Sequence, residues 1–397
     1  MIKNRNFVCL STSEWGGNYA KTIVELMSVL ARENKVLYVD YQFTLKDMAM
    51  ALIGKSQAPV SRMLGWKRRL QEVQTSDHHT VFLLTPPPII PVAFLPDGGL
   101  YRLLLRINGR IIAHSVKKAI RRTNMQDNLI HINAFNPAMG EVTAFRFGEK
   151  QLIYHCYDEI EAAAWLKKHG GKHERVFMKQ AHAVITTSEG LYRKKSPLTN
   201  RCFLVKNAVN FDLFNTGFVD RTPAREKRIG YIGSIDDRLD YTLLEHLFTS
   251  LPDYQFDFVG RHDYEKGRRL LQQFPNVKLH GPHPVTALPG FLRAFTAGII
   301  PFAINDFNKG IYPLKINEYL AAGLPVVMTH FAIVEEFRPV ASIAENKEDF
   351  RTLLIKEITE NTSEKQEARI KFAAENSWEA RVEQISGIVL QLDQELR

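Results

Sequence analysis

Short apolar runs alternate with helical periodicity along the whole chain, and this alternation predicts most of its elements. Phe7–Ser11, Lys35–Asp40, Thr80–Thr85, Leu129–Asn133, Gln151–Tyr154, Ala183–Thr187 and Cys202–Lys206 read as strands. Among them, Ile23, Leu26, Met27 and Leu30 recur at helical spacing, and Leu100–Arg122 and Lys172–Gln180 read as helices. Asn215–Lys227 is polar, contains Pro223 and reads as a linker. The pattern then restarts. Strands are predicted at Arg228–Ile232, Gln255–Val259, Val277–His280, Gly298–Pro301, Val326–Thr329 and Ala341–Ala344. Helices are predicted at Leu239–Phe248, Leu288–Phe295, Asp349–Ile358 and Ser363–Glu375, with a last one starting at Ser377-Trp378. Continuous apolar strands alternating with helices mean parallel sheets covered on both faces. The predicted class is therefore α/β, with two doubly wound, Rossmann-like domains at residues 1–210 and 211–375 and a terminal helix over 376–397. Ligands of such sheets lie beyond the carboxyl ends of the strands, here in a cleft between the domains.

The stretch Asn305–Val327 reads as loop, short helix and buried strand. Pro313 suits the first helical position, and Gly323 is placed to end the helix. A helix starting beyond a sheet offers free N–H groups and a positive dipole end, which is a site for phosphate. Lys315 and Glu318 project from one side of its first turn. A cation for phosphate beside a carboxylate for a hydroxyl pair is a nucleotide-binding combination.

Length and charge narrow the picture. A chain of 397 residues exceeds what one core serves, which supports two domains. No apolar run reaches the ~18 residues of a membrane span. The N-terminal MIKNRNFVCLSTS reads as a first strand rather than a signal peptide. Cys9, Cys156 and Cys202 are far apart, which fits a reduced, cytoplasmic setting. The net charge of +9 is unevenly spread. No acidic residue lies between Asp47 and Glu72, where Lys55, Arg62, Lys67, Arg68 and Arg69 occur. None lies between Asp97 and Asp127, where Arg102, Arg106, Arg110, Lys117, Lys118, Arg121 and Arg122 alternate with leucines and isoleucines. These segments, Lys55–Arg69 and Arg102–Arg122, are either a basic amphipathic surface for anionic headgroups or a phosphorylated acceptor, or a solvated basic face. No aromatic-interleaved basic patch points to nucleic acid.

Other motifs sit at strand ends. Trp15-Gly16-Gly17-Asn18 is either a phosphate or acceptor loop or a plain tight turn. No GxGxxG or GxxxxGK[ST] occurs. Asn133 and Asp158 follow predicted strands; Asp158 either bonds a sugar hydroxyl or serves as a base, or caps the next helix. His155 reads as structural. In Gly230–Arg238, Gly233 and Ser234 can approach a diphosphate that Arg238 neutralises, or the segment is an ordinary βα turn capped by Asp236 or Asp237. The His169/His173 and His78-His79 pairs lack the further ligands of a metal site, and no metal is expected.

These residues resemble the retaining nucleotide-sugar glycosyltransferases of the GT-B fold, closest to the branch that includes the teichuronic-acid glycosyltransferases. YPLKINEYLAAGLPVV is similar to that family's PxKxxEYLAxGxPVV segment. AHAVITTSEGLY, LVKNAVNFDLF, GYIGSIDDRLDYTLLEHL and NVKLHGPHPVTALPGFL are similar to further segments, and Ser377-Trp378 to the start of its cross-over helices. The resemblance implies two domains facing across a cleft, with the last helix crossing back. It implies Glu318 on the donor ribose and the backbone of Gly310, Ile311, Tyr312, Pro313 and Leu314 on the diphosphate. Lys315 and Arg238 would neutralise that diphosphate, and His283 would lie in the base-binding region. Gly16 and Gly17 would close on phosphate or acceptor, and Asp158 or Asn133 would position the acceptor or the sugar. Many relatives carry a glutamate where this chain has Gly310, so either Asn308, Asp306 or backbone would replace it, or the donor sugar would be read differently. The implied activity is transfer of a sugar from a nucleoside-diphosphate donor to a glycan or lipid-linked acceptor, metal-independent and without a separate cofactor. A nucleotide-sugar epimerase and a non-catalytic partner of a polysaccharide assembly complex are the alternatives.

Overall fold

The computed structural model describes residues 1–17, 21–162, 166–222 and 227–396. The chain forms two compact units. The first holds the described residues up to Val205 and those from Val382 onward; the second holds Lys206–Arg381.

In the first unit the strands are β1 (Asn6–Ser11), β2 (Lys35–Val39), β3 (Leu70–Gln74), β4 (Thr80–Leu84), β5 (Leu129–Ala134), β6 (Gln151–Cys156), β7 (Ala183–Thr186) and β8 (Cys202–Leu204). They form one sheet in the order β3-β4-β2-β1-β5-β6-β7-β8. All neighbours are parallel except β3, which runs antiparallel to β4. The helices are α1 (Thr22–Leu30), α2 (Leu45–Leu52), α3 (Val60–Met63), α4 (Gly99–Arg122), α5 (Pro137–Thr143), α6 (Gly170–Gln180) and α7 (Glu189–Lys195). One face of α4 buries Leu105, Ile112, Val116 and Ile120. The last three join Val8, Leu10, Leu37 and Val39 of the sheet in one apolar cluster. The sequence reading missed β3 because Leu-Gln-Glu-Val-Gln has no apolar run: an edge strand needs little apolar surface of its own.

The second unit contains β9 (Arg228–Ile232), β10 (Gln255–Val259), β11 (Val277–Gly281), β12 (Ala297–Ile300), β13 (Val326–Thr329) and β14 (Ser342–Ala344), in the order β11-β10-β9-β12-β13-β14, all parallel. Its helices are α8 (Phe211–Asn215), α9 (Tyr241–Ser250), α10 (Glu265–Leu271), α11 (Leu288–Ala294), α12 (Leu314–Ala321), α13 (Lys347–Thr359) and α14 (Ser363–Glu375). Both sheets are thus doubly wound α/β layers. The final helix, α15 (Trp378–Glu395), starts in the second unit and ends in the first. There Ser386 Oγ accepts from the Ile2 N–H at 3.1 Å, and Asp393 pairs with Arg5 at 2.5 Å.

One correction concerns the segment read as a linker. Residues 223–226 lie outside the described residues, but Phe211–Asn215 is helical, and Arg221 is no linker residue. Its guanidinium is buried and donates to the carbonyls of Phe295, Ala322, Val219 and Leu292 at 2.8–2.9 Å. One side chain so satisfies carbonyls at the ends of α11 and α12, which a helix cannot satisfy internally. Burial, with the nearby Arg369 charge, lowers its pKa to about 10. Arg221→Leu leaves these carbonyls unpaired, so we expect a loss of about 3–5 kcal/mol, read by chemical denaturation.

Candidate functional site

The carboxyl ends of β9 and β10 and the start of α12 enclose a cavity of about 450 Å³ in the second unit. Its walls include Gly233, Ser234, Arg238, Gly260, Arg261, His283, Leu314, Lys315 and Glu318. Close backbone approach makes this geometry. A Cβ on Gly260 would sit 1.9 Å from the Gly233 carbonyl oxygen, so only glycine fits where β10 meets the turn after β9. Gly233 itself has φ +129°, and a Cβ there would lie 3.0 Å from Cε of Lys315. Tyr319 locks α12 to the sheet: its hydroxyl oxygen accepts the Ile232 N–H at 2.9 Å, and its ring covers Gly298.

α12 begins at Leu314, so Pro313 is the residue before the helix rather than its first (φ −74°, ψ 116°). Its extended ψ turns the chain into the helix, as befits a residue outside the helical wells. Gly323, with φ +67°, ends the helix as expected. Lys315 and Glu318 are both 9% exposed and line the same cavity.

Lys315 carries the electrostatics. Its Nζ lies 5.0 Å from the Tyr231 ring centroid and 4.6 Å from that of Phe302, within reach of both π-faces. Among the described residues it makes no hydrogen bond and no ion pair. Burial lowers its pKa to about 7, aided by the Arg238 charge and opposed by Glu318 and Asp236. Arg238 is differently held. Asp236 takes it through two oxygens, with Nε at 2.9 and 3.0 Å and Nη2 at 2.6 Å, and its guanidinium lies over Phe302 at 5.7 Å. Neither Asp236 nor Asp237 caps α9; Asp240 does, accepting from the Leu243 N–H. His283 donates from Nε2 to the His280 carbonyl at 3.3 Å and packs on Phe291.

Gly310 lies in a 3-10 turn over Asn308–Gly310. The side chains suggested as replacements for a glutamate there are committed elsewhere. Asn308 is fully buried and donates to the Arg238 and Ala303 carbonyls at 3.0 and 2.7 Å. The Asp306 side chain is 98% exposed and pairs with Lys309. The backbone of Gly310–Leu314 remains, with Tyr312 fixed by the Asn207 amide on its carbonyl at 3.1 Å.

The first-unit residues gather at the carboxyl ends of β1, β2, β5 and β6. Trp15-Gly16-Gly17 follows β1, and Asn18 of that motif lies outside the described residues. The loop is held by Asp40, which accepts the Trp15 N–H at 2.9 Å, and by Lys21, which donates to the carbonyls of Glu14 and Gly16. Burial pushes the Asp40 carboxyl up to about 6, although the Trp15 N–H favours its charged form. The sequence reading missed Asp40; its signal was an aspartate closing the apolar run KVLYV. Asp158 is half-buried after β6, where its carbonyl accepts from the Cys156 thiol. The adjoining Glu159 is anchored by Lys195, which also binds Glu174 at 2.6 Å. Asn133 is fully buried, and its Oδ1 accepts the Asn136 N–H at 3.2 Å. Through that bond it supports the turn whose Asn136 caps α5, while its Nδ2 has no hydrogen-bond partner among the described residues. His155 is buried, and burial lowers its pKa to about 4, so it is neutral, in keeping with its structural reading.

Superposable structures span the whole chain. A Rickettsia africae glycosyltransferase gives a TM-score of 0.64 at 11% identity, covering 98% of both chains. Anabaena HepE, solved with UDP and glucose, gives 0.62 at 14%, covering 98% of this chain and all of the other. A Burkholderia multivorans trehalose 6-phosphate synthase gives 0.66 at 10%, covering both chains fully. The fold is GT-B. Within the GT-B fold, residues 226–371 match the family described as Glycosyl transferases group 1, a range that contains the whole cavity wall. A curated Bacillus subtilis (strain 168) protein, named as the teichuronic acid biosynthesis glycosyltransferase TuaH, is 26% identical over 201 residues, covering 45% of this chain and 50% of its own length. The chain spans about half the length of that curated relative.

The depressed pKa of Lys315 gives a signed stability prediction. Between about pH 7 and the ordinary lysine value of 10.5, the unfolded chain holds this proton and the folded chain does not. Its contribution therefore makes stability rise with pH across that window. Lys315→Met should raise unfolding stability at pH 7 by roughly 1–3 kcal/mol and flatten its rise toward pH 9, measured by denaturant titration.

Proposed function

We propose that the protein is a glycosyltransferase that moves a sugar from a nucleoside-diphosphate donor to an acceptor hydroxyl in the synthesis of bacterial cell-surface polysaccharide or glycolipid. The observation that carries this reading is Lys315: a buried cation that makes no ion pair among the described residues, opening onto a cavity whose wall also presents Glu318 and the start of α12. In this reading the second unit binds the donor. Glu318 takes the ribose hydroxyls, and the residues beside His283 take the base. Lys315, Arg238 and the α12 dipole stabilise the diphosphate as it leaves. These charges suffice without invoking a metal or a separate cofactor. The first unit binds the acceptor through Gly16, Gly17 and Asp158, with Asn133 holding the neighbouring turn. Retention of anomeric configuration follows from the resemblance to the retaining GT-B enzymes.

The acceptor is a glycan or lipid-linked. An anionic membrane surface at the cytoplasmic face is its natural setting, because α4 exposes Arg102, Arg106, Arg110, Lys117 and Arg121 along one side. Nucleic acid is not part of this reading.

Incubation of the purified chain with UDP-, GDP- and dTDP-sugars, with and without a lipid-linked acceptor, tests the proposal through release of the nucleotide. We expect turnover with at least one donor, and Glu318→Ala should weaken nucleotide binding at least about tenfold without changing the fold, the loss of roughly 1.4 kcal/mol. Binding without transfer to any acceptor would instead assign a non-catalytic role. Conversion of the donor sugar without an acceptor would assign an epimerase. No binding of any nucleotide sugar would end the reading.

A further inference from the structure

The segment between β2 and β3 is not used by the site described above. α2 and α3 pack on one another over a small cluster of Phe43, Ala58 and Met63, separate from the main core. Both helices end in the same way. α2 is followed by Ile53, then Gly54 at φ +73° and Lys55. α3 is followed by Leu64, then Gly65 at φ +82°, Trp66, Lys67 and Arg68. The two ends leave large apolar side chains in water: Leu52 is 69% exposed, Ile53 63% and Trp66 77%. Arg69 is not among the free cations of this segment, since its guanidinium donates to the carbonyls of Arg62 and Met63 and closes the end of α3. That bond makes the Leu64–Trp66 turn a firm presentation rather than a loose loop.

We propose that the ends of α2 and α3 form a membrane-inserting tip that seats this protein on an anionic lipid surface. Two independent observations meet there. Exposed apolar side chains of this size gain by leaving water for the headgroup–acyl boundary, where Trp in particular settles. The charge around them has one sign: no acidic residue occurs between Asp47 and Glu72, while Lys55, Lys67 and Arg68 are exposed. A negative surface attracts such a patch; a second copy of the same positive patch is repelled. The segment is also tied to the basic helix. Leu45, the first residue of α2, bonds the Ile89 carbonyl, and the next residue, Ile90, exchanges two hydrogen bonds with Asn108 in the middle of α4. This deepens the membrane-facing part of the proposed function by naming the residues that enter the lipid.

The test is sedimentation of the full chain with vesicles of phosphatidylcholine alone and with about 30% phosphatidylglycerol, a physiological anionic content. No donor is present, so the result is independent of nucleotide binding. We expect binding to the anionic vesicles only, with a blue shift in tryptophan emission that Trp66→Ala abolishes. Leu52→Ser with Ile53→Ser, and Trp66→Ala, should each lower the partition coefficient at least about fivefold, as removal of a buried apolar side chain requires. Nucleotide release from a soluble donor and the circular dichroism melt should stay unchanged. Absence of binding at low salt would overturn the proposal. So would binding that survives the tip variants but is lost on Arg106→Glu with Arg110→Glu, which would mean adsorption through α4 alone. Concentration-dependent dimerisation that the tip variants abolish, without vesicle binding, would assign the tip to a second copy.

Discussion

A buried ammonium group that makes no ion pair among the described residues is the constraint around which the second unit is built. Lys315 has Tyr231 and Phe302 for walls and Gly233 beneath it. Keeping it there is unfavourable, and the cost appears as a pKa near 7. The surroundings are shaped to hold it none the less. Gly260 lets the turn after β9 close down, and Gly298 accepts the Tyr319 ring that fixes α12. Desolvation at one position, supported by close fits around it, is the pattern of a binding site rather than of a core built for stability, which is why the proposed function rests on it. Arg238 completes the arrangement in the opposite manner. It remains charged, and Asp236 sets its direction through two oxygens. One cation is thus oriented in advance by an ion pair, while the other makes none among the described residues.

Much of this was legible in the sequence because it rests on local rules. The parallel strands are continuous apolar runs, and Gly323 ends α12 through the left-handed conformation that glycine favours. The placement of Lys315 and Glu318 on one side of α12 follows from helical spacing alone. What was not legible depends on distant partners. Arg221 looks like a solvated linker residue until α11 and α12 bring their last carbonyls to it. Asn133 looks like a ligand residue at a strand end, but whether its amide faces a cavity or a helix start depends on how α5 packs. Asp40 becomes a loop anchor only when β2 lies beside β1. Asn308 was offered in place of a glutamate, and its amide is spent on two carbonyls that no local pattern announces.

The same distinction separates fold from substrate. Whole-chain likeness at 10–14% identity reports the path of the backbone, which many sequences can take. Substrate choice lies in a few side chains, and at Gly310 there is none. Asn308 is buried and Asp306 is turned to solvent, so in the proposed function the main chain of Gly310–Leu314 would meet the donor. Peptide N–H groups carry no net charge and recognise an oxyanion by direction alone. A sugar held by such groups is read by shape and by the positions of its hydroxyls. A carboxylate there would impose charge-assisted bonds on particular hydroxyls and tie the site to them. In the proposed function, the absence of a side chain at Gly310 would therefore shift donor recognition from charge toward shape, while Lys315, Arg238 and Glu318 would still serve the phosphate and the ribose.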